Sequence, residues 1–193
     1  MSKELPLEYI SRPSVLKENA PLLIMLHGYG SDENDLFSFA NELPEELFII
    51  SLKAPYPLQP QGNAWYAINF DAEQNKWNDN DEAKLSMEIL IKCIDMACET
   101  YPVNKNNISL LGFSQGTILG MATALNHPSK IKNVIGLSGY INHEGAMVCH
   151  LRDLMYEFEF LGTKDYNKNN GKTKEPPTLL LIDKQATVAM SKN

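Results

Sequence analysis

The sequence predicts an α/β fold: a mostly parallel central sheet with helices on both faces, and a last strand and helix region that is incomplete or altered. Three observations carry this expectation. Short apolar runs at residues 22–26, 47–52, 108–111 and 131–137 are continuous rather than alternating, as in strands buried on both faces. Segments with helical spacing lie between them, and alternation of the two kinds is the pattern of strand-helix-strand units. The 193 residues, 44% hydrophobic and 21% charged, are ample for one sizeable core.

Residues 1–9 carry three charged side chains and two leucines split by Pro6, without the apolar stretch of an export signal, so a cytoplasmic location is the default expectation. The run at 22–26 ends on His27 and Gly28. Residues 34–43 place Leu36, Phe37, Phe39, Ala40 and Leu43 at helical spacing, and Pro44 stops them. Residues 53–63 hold three prolines and one glycine and read as a loop, followed by a short strand or turn at 64–68 that carries Trp65 and Tyr66. Residues 79–101 form the longest helical pattern, with Leu85, Ile89, Cys93, Ile94 and Ala97 as its apolar positions, Asp79 or Asp81 as its cap and Pro102 past its end. Residues 112–116 read as a tight turn, and 117–126 as a helix stopped by His127 and Pro128. Beyond Tyr140 the pattern loosens. Residues 151–161 suggest a helix running into a strand, 167–177 contain no apolar residue and read as a flexible linker, and 178–182 suit one more strand.

The net charge of -7 and a pI near 5.1 repel a phosphate backbone, so nucleic acid is excluded as a partner and small neutral molecules are favoured. The charge is uneven. Residues 164–193 hold six lysines against Asp165, Glu175 and Asp183, which divides the chain into a main domain at 1–163 and a basic tail at 164–193. Cys93, Cys98 and Cys149 are odd in number and fit no metal-ligand spacing, so reduced thiols are expected.

Chemistry concentrates in Gly112-Phe113-Ser114-Gln115-Gly116, a Gly-x-Ser-x-Gly pattern lying after one predicted strand and before a predicted helix. The glycines let the chain turn sharply and let helix and strand pack closely, while the turn holds the Ser114 hydroxyl out at the sheet's edge. The amide of Gln115, at the start of the next helix, points where an oxyanion would form. His27-Gly28-Tyr29-Gly30 follows the first strong strand, where such an architecture keeps its other oxyanion loop.

Together with Lys53-Ala54-Pro55, Ala64-Trp65-Tyr66 and Leu137-Ser138-Gly139-Tyr140, these motifs resemble in order and spacing the small carboxylesterases related to acyl-protein thioesterases, over residues 5–141. The resemblance implies an α/β-hydrolase fold and hydrolysis of short to medium acyl esters or thioesters with no metal and no cofactor. It implies Ser114 as nucleophile, the amides of Tyr29 and Gln115 as oxyanion hole, and Trp65 with the proline-rich loop before it as lining of an acyl groove. Leu161-Gly162-Thr163-Lys164-Asp165 is similar to the family's His-Gly-Thr-x-Asp segment with leucine in first place, which makes Asp165 the implied acid of the triad.

The base breaks the resemblance. In this fold the order is serine, acid, histidine, yet no histidine follows His150, and residues 167–193 do not resemble the Gly-His segment and last helix that the family would have there. His143 and His150 precede Asp165 and read as surface residues; His127 reads as a helix end. Three readings follow: an active serine esterase, a hydrolase whose final part was lost or replaced and which retains little activity, and a module that binds acyl ligands without cleaving them.

Overall fold

A strand with apolar side chains on both faces needs cover on both sides, and the chain supplies it around three adjoining parallel strands. The structure, a computed structural model, describes residues 4–70, 76–139 and 178–182. Its main sheet has the strands β1 (Tyr9–Arg12), β2 (Ala20–Leu26), β3 (Phe48–Leu52), β8 (Val103–Phe113), β9 (Asn133–Leu137) and β10 (Thr178–Ile182), in the order β1-β3-β2-β8-β9-β10. All neighbours are parallel except β1, which runs antiparallel to β3 at one edge. The four short strands between β3 and β8 lie outside this sheet. They form two antiparallel pairs: β4 (Tyr56–Pro57) with β5 (Asn63–Ala64), and β6 (Ile68–Phe70) with β7 (Lys76–Asn78).

Successive residues of β2 serve two cores. Leu22, Ile24 and Leu26 pack with Leu90 and Ile94 of α2 (Asn80–Thr100) and with Leu119 of α3 (Gln115–Asn126). Leu23 and Met25 face the other way, toward Leu36 of α1 (Asn34–Phe37) and Ala40 of a 3-10 turn (Ala40–Glu42). The mostly parallel sheet with helices on both faces is therefore as expected, and the tail's residues 178–182 join it in parallel beside β9.

Several local expectations are corrected. Residues 34–43 do not form one helix: the Ser38 hydroxyl donates to the Asp35 carbonyl at 2.7 Å and Phe39 N–H donates to Leu36, a tightening that ends α1 and leaves Phe39 exposed. The proline-rich loop contains the β4–β5 pair, closed by Leu58 N–H to Gly62 O at 2.8 Å. On α2 the buried stripe is Ala83, Ser86, Leu90, Cys93, Ile94 and Ala97, and Leu85 is exposed. The stripe follows the helical period from Ala83, and Leu85 falls off it. β1 had no counterpart in the sequence reading. Its Arg12 guanidinium donates to the carbonyls of Leu43 at 3.0 Å and Leu47 at 3.2 Å, tying the edge strand to the turn before β3.

Cys93 and Cys98 are free thiols, and burial pushes that of Cys93 up to about 11. The expectations for Cys149, residues 151–161 and residues 167–177 lie outside the described residues. Among the described residues no helix is long and apolar enough to cross a membrane.

Candidate active site

The connection from β2 leads outward to β3, whereas that from β8 leads the opposite way to β9, so strand order reverses between β2 and β8. Crevices at the carboxyl ends of such a pair are where open α/β sheets bind ligands. Both sequence motifs lie at that crevice: β2 delivers His27 to Gly30 and β8 delivers Ser114, with Leu26 paired to Gly112.

Ser114 sits at φ 49° and ψ -110°, a conformation that side chains rarely adopt and that marks a backbone held by its surroundings. What holds it can be read atom by atom. Its N–H donates to Leu137 O at 2.8 Å, fastening the turn to β9. Thr117 donates its hydroxyl to Gly112 O at 2.7 Å and accepts from Leu137 N–H at 3.1 Å. A Cβ at Gly112 would lie 2.5 Å from Thr117 N, and one at Gly116 would lie 2.0 Å from Leu26 O, so both glycines are required by close backbone approach. The Ser138-Gly139 turn closes on the same threonine, with Ser138 at φ 52°. Ser114 is half-buried, and its hydroxyl makes no capping bond to α3.

The facing loop is pinned from the β4–β5 pair. Gly30 N–H donates to Asn63 O at 2.9 Å, and Asn63 N–H donates to Ser31 O at 2.8 Å. Trp65, expected to line a groove, is instead fully buried: its indole N–H donates to His27 O at 2.9 Å. Its amide donates to the side-chain oxygen of Gln115 at 2.8 Å, and the Gln115 side-chain nitrogen donates to Tyr66 O at 2.8 Å. Among the described residues, the backbone amides of Tyr29 and Gln115 form no hydrogen bond, and the Tyr29 side chain is exposed.

His27 is fully occupied. Ala54 N–H donates to Nε2 at 3.0 Å, so the ring proton is on Nδ1 and donates to Gly28 O at 2.8 Å. Burial lowers its pKa below 6.5 and keeps it neutral. His127 caps the far end of α3, about 20 Å of helix from Ser114, with its own pKa lowered chiefly by burial. Neither can take the Ser114 proton. His143, His150 and Asp165 lie outside the described residues. No group of three potential metal ligands occurs among the described residues.

Sequence reasoning found both backbone turns but missed the polar parts that hold them. The side chains of Gln115, Thr117 and Asn63 meet backbone atoms far away in the chain, and no local pattern announces them.

A doubly covered parallel sheet with a strained serine turn at its switch point defines an α/β hydrolase. Residues 10–166 match the phospholipase/carboxylesterase family, and the chain belongs to that family. Solved structures with the same fold include the Bacillus cereus carboxylesterase (19% identity, TM-score 0.62, covering 72% of this chain and 63% of that one). Esterase PE8 matches at 20% identity with a TM-score of 0.63, over 95% of this chain and 81% of its own. Zea mays acyl-protein thioesterase 2 matches at 18% identity with a TM-score of 0.53, over 69% and 62%. This chain thus spans less than two thirds of the Bacillus and Zea mays proteins.

Proposed function

We propose that this chain hydrolyses short to medium acyl esters or thioesters through an acyl-Ser114 intermediate. The observation that carries the reading is the conformation of Ser114: a positive-φ residue at the switch point whose hydroxyl is spent on no helix cap. In the first half-reaction the Ser114 oxygen bonds to the acyl carbon, the carbonyl electrons move onto its oxygen, and the amides of Tyr29 and Gln115 stabilise that charge. A histidine takes the hydroxyl proton and passes it to the departing alcohol or thiol as the carbon–heteroatom bond breaks; water then releases the acid by the reverse route. Asp165 is the acid assigned to orient that histidine.

Of the four histidines, His27 and His127 are unsuitable, leaving His143 and His150. That shortage favours a second reading, in which the chain retains the nucleophile and oxyanion hole but turns over slowly. Disabling a triad leaves a residual rate from the oxyanion hole and binding, about 10³–10⁴ above water.

Fluorophosphonate labelling and p-nitrophenyl butyrate hydrolysis test both readings. Wild type labels and Ser114→Ala does not; equal behaviour of the two overturns the hydrolase reading. Loss of turnover in His143→Gln or His150→Gln identifies the base, whereas slow turnover in wild type that is accelerated by added imidazole supports the second reading.

A further inference from the structure

We infer that Trp65 is a positioning residue: a buried strut that fixes the two amides of the oxyanion hole relative to one another. The inference rests on the proposed role of Ser114 and extends it. The two halves of the hole arise from different strand ends, the Tyr29 amide after β2 and the Gln115 amide after β8. The first half lies between Gly28 and Gly30, a backbone with little stiffness of its own. Segment 63–66 is bonded to both halves. Asn63 exchanges backbone bonds with Gly30 and Ser31, and Tyr66 O receives the Gln115 side chain.

Trp65 holds both at once. Its indole N–H is donated to His27 O on the loop side, at 2.9 Å, and its backbone N–H to the Gln115 side chain on the elbow side, at 2.8 Å. The residue has no exposed surface, so these bonds operate away from water, where an unmade bond is most costly. The choice of side chain follows. Phenylalanine fills much of the same space but donates nothing, which would leave His27 O without its indole partner. The loop's remaining ties would then be those to Asn63 and, through the His27 ring, to Ala54.

Oxyanion donors act only when aimed within a fraction of an ångström of the forming charge, so a loosened strut should cost rate rather than substrate affinity. Trp65→Phe is expected to lower kcat toward p-nitrophenyl butyrate, and the fluorophosphonate labelling rate, by about 10–100-fold with KM within about twofold. Leu90→Ala, a buried truncation in α2 that leaves both Trp65 hydrogen bonds intact, controls for general destabilisation and should keep kcat within about threefold. Amide exchange measured in the same proteins does not depend on turnover: residues 28–31 should exchange about 10-fold faster in Trp65→Phe, and residues 93–97, at the other end of α2 from the Ser86 contact, should not change. Unaltered exchange at 28–31, a kcat within about threefold of wild type, or an equal kcat loss in Leu90→Ala overturns the inference. Should Trp65→Phe fail to fold, Gln115→Met cuts the strut at its other end and must reproduce the same pattern. A wild type that neither labels nor hydrolyses defeats the proposed function, while exchange still decides the strut.

Discussion

The starts of α2 and α3 solve one problem in opposite ways. Every helix begins with amide groups that lack partners inside it. At α2, Asp79 is extended, and its carboxylate accepts from the amides of Asp81 at 3.1 Å and Glu82 at 3.0 Å. At α3 the corresponding residue is Ser114, a residue type well suited to capping, yet it is twisted to positive φ and caps nothing. The bodies differ in the same sense: α2 buries one stripe, whereas α3 is buried from Gln115 through Leu125. An ordinary helix start satisfies itself. At α3 the surrounding packing imposes the turn, and both the hydroxyl and the first amides are left for something outside the helix.

The contrast can be broken most severely at Gly116. Gly116→Ala drives a methyl group into the Leu26 carbonyl, and an expected loss of about 3 kcal/mol or more should appear as a large drop in denaturation midpoint. A midpoint within error of wild type would mean that α3 is not held against β2 as described.

A smaller effect sharpens the contrast directly. Asp79→Ala should cost about 1 kcal/mol, the usual worth of a side-chain cap, whereas Ser114→Ala should cost nothing in stability. Ser114→Gly should be more stable than Ser114→Ala by about 1 kcal/mol, because glycine adopts the strained conformation freely. Urea unfolding of the three variants decides it; equal losses for Asp79→Ala and Ser114→Ala would show that both residues cap.

The smallest effect concerns pH. His27 is neutral in the folded protein, and its folded pKa lies below the unfolded value of 6.5. Its contribution to stability is therefore complete above that value and is lost as pH falls below it toward the folded pKa, since the unfolded chain binds the extra proton. Protonating Nε2 would also set two donors, the ring and Ala54 N–H, against each other. Thermal melts between about pH 5 and 7 should show a steeper acid-side decline for wild type than for His27→Gln.

Much of this architecture was legible in the sequence. Continuous apolar runs located β2, β3, β8 and β9, because a strand covered on both faces admits few polar residues, and the Gly-x-Ser-x-Gly pattern became informative once a strand and a helix flanked it. The four-residue β1 was too short to show a period. Leu85 was misread because hydrophobicity alone does not say which face of α2 turns inward, whereas Ser86 belongs to that face and donates to the Trp65 carbonyl. Trp65 was a groove residue by resemblance alone, and a motif match does not disclose where an indole N–H points. Asp165, His143 and His150 lie beyond the described residues and stand as the sequence left them.

The pairing of Leu26 with Gly112 also has a kinetic consequence. The strands that carry the two halves of the crevice meet only after a loop of more than eighty residues closes, and a sheet built on such distant contacts acquires them slowly. On the ribosome, the first hundred residues emerge without β8, so β2 must wait with one edge unpaired, an edge open to association with other chains. The feature that gives the crevice its position is therefore also an edge left open to misassembly until β8 has been synthesised.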